Sequence, residues 1–212
     1  MTTSGSYSFD QQCDDIISDA LVNVGALGPG KTATGNMRAH AFRALNRLVK
    51  EIDADGDFLW RTARTNVSIL AGTATYTLPT GVLALEDPAD FLPSGATARI
   101  QVFAQSNADY RKVADRTSQG TPLNYLVEKT LSGGLTITLW PVPDTAGTLE
   151  VMAAFKAQDY VIGSDTSDFP SGWIGCLVDG LSWKLAPAYG QDGSGFRDDH
   201  MTSRRALLDA DN

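Results

Sequence analysis

The chain has two cysteines and two histidines in 212 residues, too few and too scattered for most chemistry that depends on them. Cys13 and Cys176 are the only thiols, and two distant thiols in a reducing compartment are expected to be reduced and packed. His40 and His200 each stand alone in sequence, so no zinc or other metal site is expected. No apolar run approaches the roughly 18–20 residues that cross a bilayer, and no membrane partner is expected. The opening stretch Met1 to Ser6 has neither a basic region nor an apolar core, so it does not read as a secretory signal. Synthesis in a cytoplasm is the matching expectation. Cations are also short: 17 Lys and Arg against 25 Asp and Glu leave a formal charge of −8. That balance disfavours a clamp that grips nucleic acid by neutralising phosphates.

What remains is ordinary globular composition, 42% hydrophobic and 20% charged, long enough for one large domain or two small ones. The charge is uneven. Residues 1–30 hold four Asp and no Lys or Arg, whereas 31–64 hold seven cations against four acids. Opposed patches of this kind can pair between neighbouring copies, which makes Asp14 and Asp15 against Arg43, Arg47 and Lys50 the candidate subunit contacts. Solvated helix faces are the competing reading.

Both ends carry helical spacing. Ile16, Ile17, Ala20, Leu21 and Val24 form one stripe over 9–25, with Asp10, Asp14 and Asp15 early, where the helix dipole favours acids. The glycines and prolines between Gly25 and Gly35 break it. A second helix is expected from an Asn36 cap, with Met37, Ala41, Ala44, Leu45, Leu48, Val49 and Ile52 on its apolar face. It should end near the turn Asp55-Gly56-Asp57, with Phe58-Leu59-Trp60 as an anchor. Near the other end, Ile174, Leu177, Val178, Leu181 and Leu185 share a face, Trp173 and Trp183 lie off it, and Pro187 and Gly190 stop the helix. A flexible stretch, 191–195, then precedes a short terminal helix carrying Arg204, Arg205, Leu207 and Leu208.

The middle changes period. Val67 and Ile69, then Thr73 to Pro79, read as two strands joined around Ala71-Gly72. Arg99–Gln105, Asn124–Glu128, Leu135–Trp140 and Thr148–Phe155 are further strands, the last two with clear alternation. The gaps are too short for most parallel crossovers. The expected fold is therefore α+β: a discontinuous helical domain, 1–62 plus 165–212, with an antiparallel β module, 63–164, inserted as a sandwich or partial barrel.

Catalytic signals are weak. Gly25-Ala26-Leu27-Gly28-Pro29-Gly30-Lys31-Thr32 fits the phosphate-loop pattern, in which backbone N–H groups cradle phosphates, lysine meets the terminal ones and threonine holds Mg²⁺. That chemistry needs a buried strand before the loop, and the spacing here is helical. The carboxylate groups Asp14/Asp15, Asp53/Asp55/Asp57 and Asp198/Asp199 sit at helix starts or turns, where capping and solubility explain them. The middle group lacks the spacing and later Glu of a calcium loop. No catalytic residue, cofactor site or enzyme activity is expected. Trp60, Trp140, Trp173 and Trp183 read as core or contact residues.

Four stretches carry a family resemblance: Asp15-Ile16-Ile17-Ser18-Asp19-Ala20-Leu21; Ala44 to Glu51 with Asp55-Gly56 and Leu59-Trp60; Ala71 to Pro79; and Trp140-Pro141-Val142-Pro143-Asp144 with Phe169-Pro170, Trp173-Ile174 and Leu185 to Gly190. In this order they resemble the head–tail adaptor (connector) proteins of tailed bacteriophages, which follow the portal. Gly175, Gly180 and Pro187-Ala188 depart from that pattern.

The resemblance implies a structural virion protein, made in the host cytoplasm and placed in the neck. It would form a ring, twelve-fold in expectation, beneath the portal protein. That ring would extend the channel for double-stranded DNA, without specific binding, and give a tail or nozzle protein its platform. Phe196, Arg197, Arg204 and Arg205 are the portal-contact candidates. The alternatives are a phage-encoded enzyme, either a cell-wall hydrolase or a nucleotide-binding protein, and a carbohydrate-binding β module.

Overall fold

The computed structural model describes residues 9–28, 30–54, 59–130 and 133–211. In chain order its elements are α1 (Cys13–Asn23), α2 (Gly35–Ala54), β1 (Thr62–Ile69), β2 (Thr75–Thr77), β3 (Val82–Leu85), β4 (Ala89–Pro93) and β5 (Ile100–Ala104). There follow α3 (Asn107–Lys112), β6 (Gln119–Gly120), β7 (Asn124–Lys129), β8 (Leu135–Trp140), β9 (Val142–Pro143), β10 (Gly147–Phe155), α4 (Ile174–Leu185) and α5 (Ser194–Asp211). Two compact units result, a helical one of Met1–Trp60 with Ala157–Asn212 and a β unit of Arg61–Lys156.

In the helical unit α4 is the central helix, packing against α1, α2 and α5. That position explains why it buries Ile174, Cys176, Leu177, Leu181 and Leu185, more of its surface than a one-sided amphipathic helix would. α1 contributes Ile16, Ile17, Ala20 and Leu21 to the same core, and α2 contributes Ala41, Leu45, Leu48, Val49 and Ile52. Asp15 caps α1 by accepting the backbone N–H of Gln12 at 3.2 Å. Trp173 is buried rather than off the core face, because a turn of 3₁₀ helix (Ser171–Trp173) swings it inward against Phe169, ring centroids 5.8 Å apart. Trp60 also packs against Phe169, ring centroids 5.2 Å apart; residues 55–58, the expected turn and the first residue of the expected anchor, lie outside the described residues.

Two helix boundaries differ from the sequence expectation, and one agrees with it. α2 begins before Asn36, with the Arg38 N–H donating to the Thr34 carbonyl, so Asn36 lies inside the first turn and does not cap it. The agreement is at the end of α4, where Pro187 sits in the following 3₁₀ turn and Gly190, at φ +71°, closes it in the left-handed conformation that glycine adopts without strain. The terminal helix is neither short nor preceded by loose chain: Asp192 accepts the backbone N–H of Ser194 at 3.0 Å, and 18 helical residues follow.

The β unit is one eight-stranded, mostly antiparallel sheet in the order β1-β10-β4-β5-β7-β8-β2, with β3 also on β10. Alternate residues Leu135, Ile137 and Leu139 of β8, Leu149, Val151 and Ala153 of β10, and Val67 and Ile69 of β1 all enter a single core. A sheet whose successive strands share one enclosed core approaches a barrel, as expected. β1 and β10 lie side by side over their length, Thr62 opposite Ala154 and Ile69 opposite Gly147.

The sheet also holds surprises. β3 and β4 were not legible, since Val82–Leu85 and Ala89–Pro93 are short and flanked by proline. β1 and β2 are not partners of each other: β1 pairs β10 and β2 pairs β8. The bend between them is tied by the Tyr76 hydroxyl, which donates to Thr73 O at 2.8 Å and accepts the Leu70 N–H at 3.0 Å. β5 and β7 run parallel, joined by a crossover that contains α3 and is therefore long enough for the turn-back. β6 and β9 add a second, two-residue parallel pair.

Candidate interaction surfaces

α5 is held onto α4 by a reciprocal tie. His200 Nδ1–H donates to the Cys176 carbonyl at 2.8 Å, and the Cys176 thiol reaches the His200 carbonyl at 3.7 Å. The contact is close because Gly180 has no side chain: a Cβ there would stand 2.7 Å from His200 Nδ1. Burial holds the His200 pKa below the ordinary imidazole value and pushes the Cys176 thiol up to about 11. Cys13, also buried and free, is raised to about 12 for the same reason. Both thiols are packing groups, inert as nucleophiles at neutral pH.

The segment between the β unit and α4 forms a second feature. It is pinned to α2 by Asn46, whose side chain accepts the Tyr160 N–H at 2.9 Å and donates to its carbonyl at 3.0 Å. Asp53 is buried rather than a solvated turn residue, and accepts the Ala157 N–H at 3.2 Å. Asp165 folds the tip by accepting the N–H groups of Val161 and Ile162 at 2.6 and 2.8 Å, which lowers its pKa. Backbone bonds from Cys13 N–H to Asp165 O and from Asp14 N–H to Gly163 O attach this tip to the start of α1. The result is an ordered loop that presents Val161 and Ile162 outward.

The phosphate-loop match lies between two helices, α1 and α2, and Pro29 is outside the described residues. Gly25 and Gly30 have positive φ, and Lys31 is exposed with its N–H on the Gly28 carbonyl. The strand that would aim such a loop at phosphates has no counterpart before it.

A family model described as SU10 adaptor protein matches residues 13–211, from the first residue of α1 to the last of α5. The chain belongs to the SU10 adaptor family. No curated protein matches it. Membership gives the adaptor a structural role in a bacteriophage and implies portal and tail proteins as partners and the virion neck as its place.

Within the adaptor, the residues nominated from sequence fall into two groups. Asp14 is engaged inside the chain, its carboxylate bound by Arg38 through two hydrogen bonds of 2.7 and 2.6 Å. Asp15 caps α1, and Lys50 pairs with Asp159 at 2.8 Å while donating to the Ala157 carbonyl. Arg43 and Arg47 are exposed on α2. On α5, Arg197 and Arg205 are exposed, Arg197 pairing with its neighbour Asp198 at 3.1 Å, and Phe196 and Arg204 are half-buried. Sequence reasoning missed the role of His200, because a lone histidine carries no spacing signal. It also missed the 158–168 loop, where the clue was the recurrence of Asp159, Asp165 and Asp168 without a cation.

Proposed function

We propose that the adaptor forms a ring, twelve copies in expectation, that docks beneath the portal after genome packaging. The ring extends the DNA channel and offers tail proteins a platform. The observation that carries this reading is the match of the adaptor family from α1 through α5. The net charge of −8 suits a lumen through which DNA slides without being gripped.

Portal contact is assigned to α5. His200 fixes its inner side while Arg197 and Arg205 face outward beside Phe196 and Arg204, an arrangement that gives a partner cations on a rigid helix. Contact between copies is assigned to Arg43 and Arg47 of α2. Asp14, Asp15 and Lys50 have a lesser part there, since each already holds a partner within the chain.

The test is docking of the purified chain to cognate portal rings, read by electron microscopy and by co-sedimentation. Arg197→Glu with Arg205→Glu should weaken docking at least tenfold and leave the thermal midpoint unchanged. Full docking by that folded variant removes the assignment of α5, and a wild-type chain that never binds portal removes the reading itself.

A further inference from the structure

β1 stands at one end of the sheet and is paired along one side only, by β10. The bonds of β10 show which of its backbone groups that pairing leaves over. The Met152 carbonyl accepts the Glu86 N–H at 2.9 Å, and the Ala146 carbonyl accepts the Ser94 N–H at 2.8 Å. Even-numbered residues of β10 thus direct their N–H and C=O groups to β3 and β4, and odd-numbered ones to β1. With Met152 opposite Arg64 and Glu150 opposite Asn66, the ladder uses Ala63, Thr65, Val67 and Ile69. Arg64, Asn66 and Ser68 turn their backbone groups outward, and no hydrogen bond reaches those groups among the described residues. All three residues are exposed. The next of that set, Leu70, is taken up by the Tyr76 hydroxyl.

Sheet edges are usually blunted by shortness, proline, charge or a bulge. β2 has only three residues and runs into Pro79, and β3 meets β10 with a register shift at Ala154 and Phe155. β1 has none of these devices. It runs for eight residues in unbroken register without proline. Its single charge, Arg64, is held by Glu150 at 3.2 Å. Such an edge is a template for one more strand.

We infer that the β1 edge takes up an added strand, and that this strand is residues 2–8 of the next copy. This rests on the ring reading and adds a contact to it. Outside the described residues lie 1–8, 29, 55–58, 131–132 and 212, and only the first is long enough for a strand. Eight residues reach about 26 Å when extended, enough to lie along the whole of β1. The stretch Thr2-Thr3-Ser4-Gly5-Ser6-Tyr7-Ser8 carries no charge and no proline, and Thr and Tyr favour strands. An uncharged strand suits an edge whose one cation is already neutralised. Phe9, at the root of the stretch, is 63% exposed and belongs to neither core. The family match begins only at residue 13, so the helical unit does not need the stretch for its fold. Each copy would give one strand and receive another, the head-to-tail arrangement that a closed ring requires.

The alternation along β1 supplies the test. A synthetic peptide of residues 1–9, at millimolar concentration, is added to a chain lacking residues 2–8, and amide exchange is read by NMR. Exchange at Arg64, Asn66 and Ser68 should slow at least tenfold, while Thr65 and Val67, already in the ladder, should not change. Asn66→Pro in the full chain removes only an outward N–H, a change that an edge strand tolerates. It should keep the wild-type circular dichroism and thermal midpoint, yet fail to assemble in concentrated solution or on portal rings. The shortened chain should fail in the same way. Normal rings from either variant overturn the inference and leave the ring standing on another contact. Protection of the three amides in the dilute, monomeric wild type overturns it too, since the segment would then lie on its own β1. So does protection by a tail protein but not by the peptide, which assigns the edge to that partner. A wild-type chain that never self-associates removes the ring reading, and with it the next copy as donor.

Discussion

His200 Nδ1 and the backbone carbonyl of Cys176 lie 2.8 Å apart, joining two helices through a side chain that the sequence presents as isolated. His200 is 2% exposed, so nothing replaces this bond from solvent when it is lost. His200→Ala should therefore destabilise the adaptor by about 2–4 kcal/mol, the combined cost of a buried cavity and an orphaned carbonyl. Urea denaturation measures it; a loss under about 0.5 kcal/mol, the range of ordinary surface substitutions, would mean that α5 is not held here.

The two glycines of α4 should respond oppositely to alanine. At Gly180 a Cβ would lie 2.7 Å from His200 Nδ1 and 2.9 Å from Leu48 Cδ2, so overpacking of about 1–3 kcal/mol outweighs the gain in helix propensity. At Gly175 a Cβ meets nothing within 4 Å, and Gly175→Ala should stabilise by roughly 0.5–1 kcal/mol. Calorimetric midpoints of the two variants should move in opposite directions. A rise for both would show that α5 does not approach α4 this closely.

Acid should weaken the fold through the same histidine. Burial holds its folded pKa below the ordinary imidazole value of 6.5, so the unfolded chain binds the proton more readily. Stability is therefore full above pH 6.5 and falls as pH drops from there towards the folded pKa. The neighbouring Asp179, raised by burial, works in the opposite direction, and it titrates from the carboxylate range upward. Comparing urea midpoints at pH 7.5 and 5.5 for wild type and His200→Gln separates the two. The wild type should lose more than the variant, and parallel curves would refute the assignment.

Asp165 should matter only as an anion. Its pKa is lowered from 3.8 by the Ile162 and Val161 N–H groups, so its contribution is present above pH 3.8 and is lost as pH falls through the lower folded value. Asp165→Ala, which leaves two N–H groups of an exposed loop to water, should speed amide exchange at Val161 and Ile162. Unchanged exchange at those two amides would show that the carboxylate does not organise the tip.

The two-part plan was legible in the sequence because each part has its own period. The stripe Leu45, Leu48, Val49 and Ile52 repeats at helical spacing, and Leu135, Ile137 and Leu139 alternate. What stayed hidden depends on distant partners. Nothing near residue 200 announces that Gly180 makes room for its imidazole, and nothing near Asp14 announces Arg38 as its ion pair. The strands β3 and β4 are too short to show a period, and the parallel β5–β7 pair arises from a crossover helix of only six residues. Trp173 was misplaced because a 3₁₀ turn shifts the helical phase by which its face was judged. The adaptor resemblance was readable because its motifs are spread over the chain and keep their order. The side chains that make contacts follow no such pattern.

Thr62 opposite Ala154 places the first residue of the sheet beside its last but one, on neighbouring antiparallel strands about 5 Å apart at their Cα atoms. The polypeptide leaves the helices and returns to them through what amounts to a single doorway. A cassette with so narrow a base can be excised, lengthened or exchanged while the helical scaffold keeps its connectivity. Variation can thus accumulate in the β unit without any redesign of the helical core.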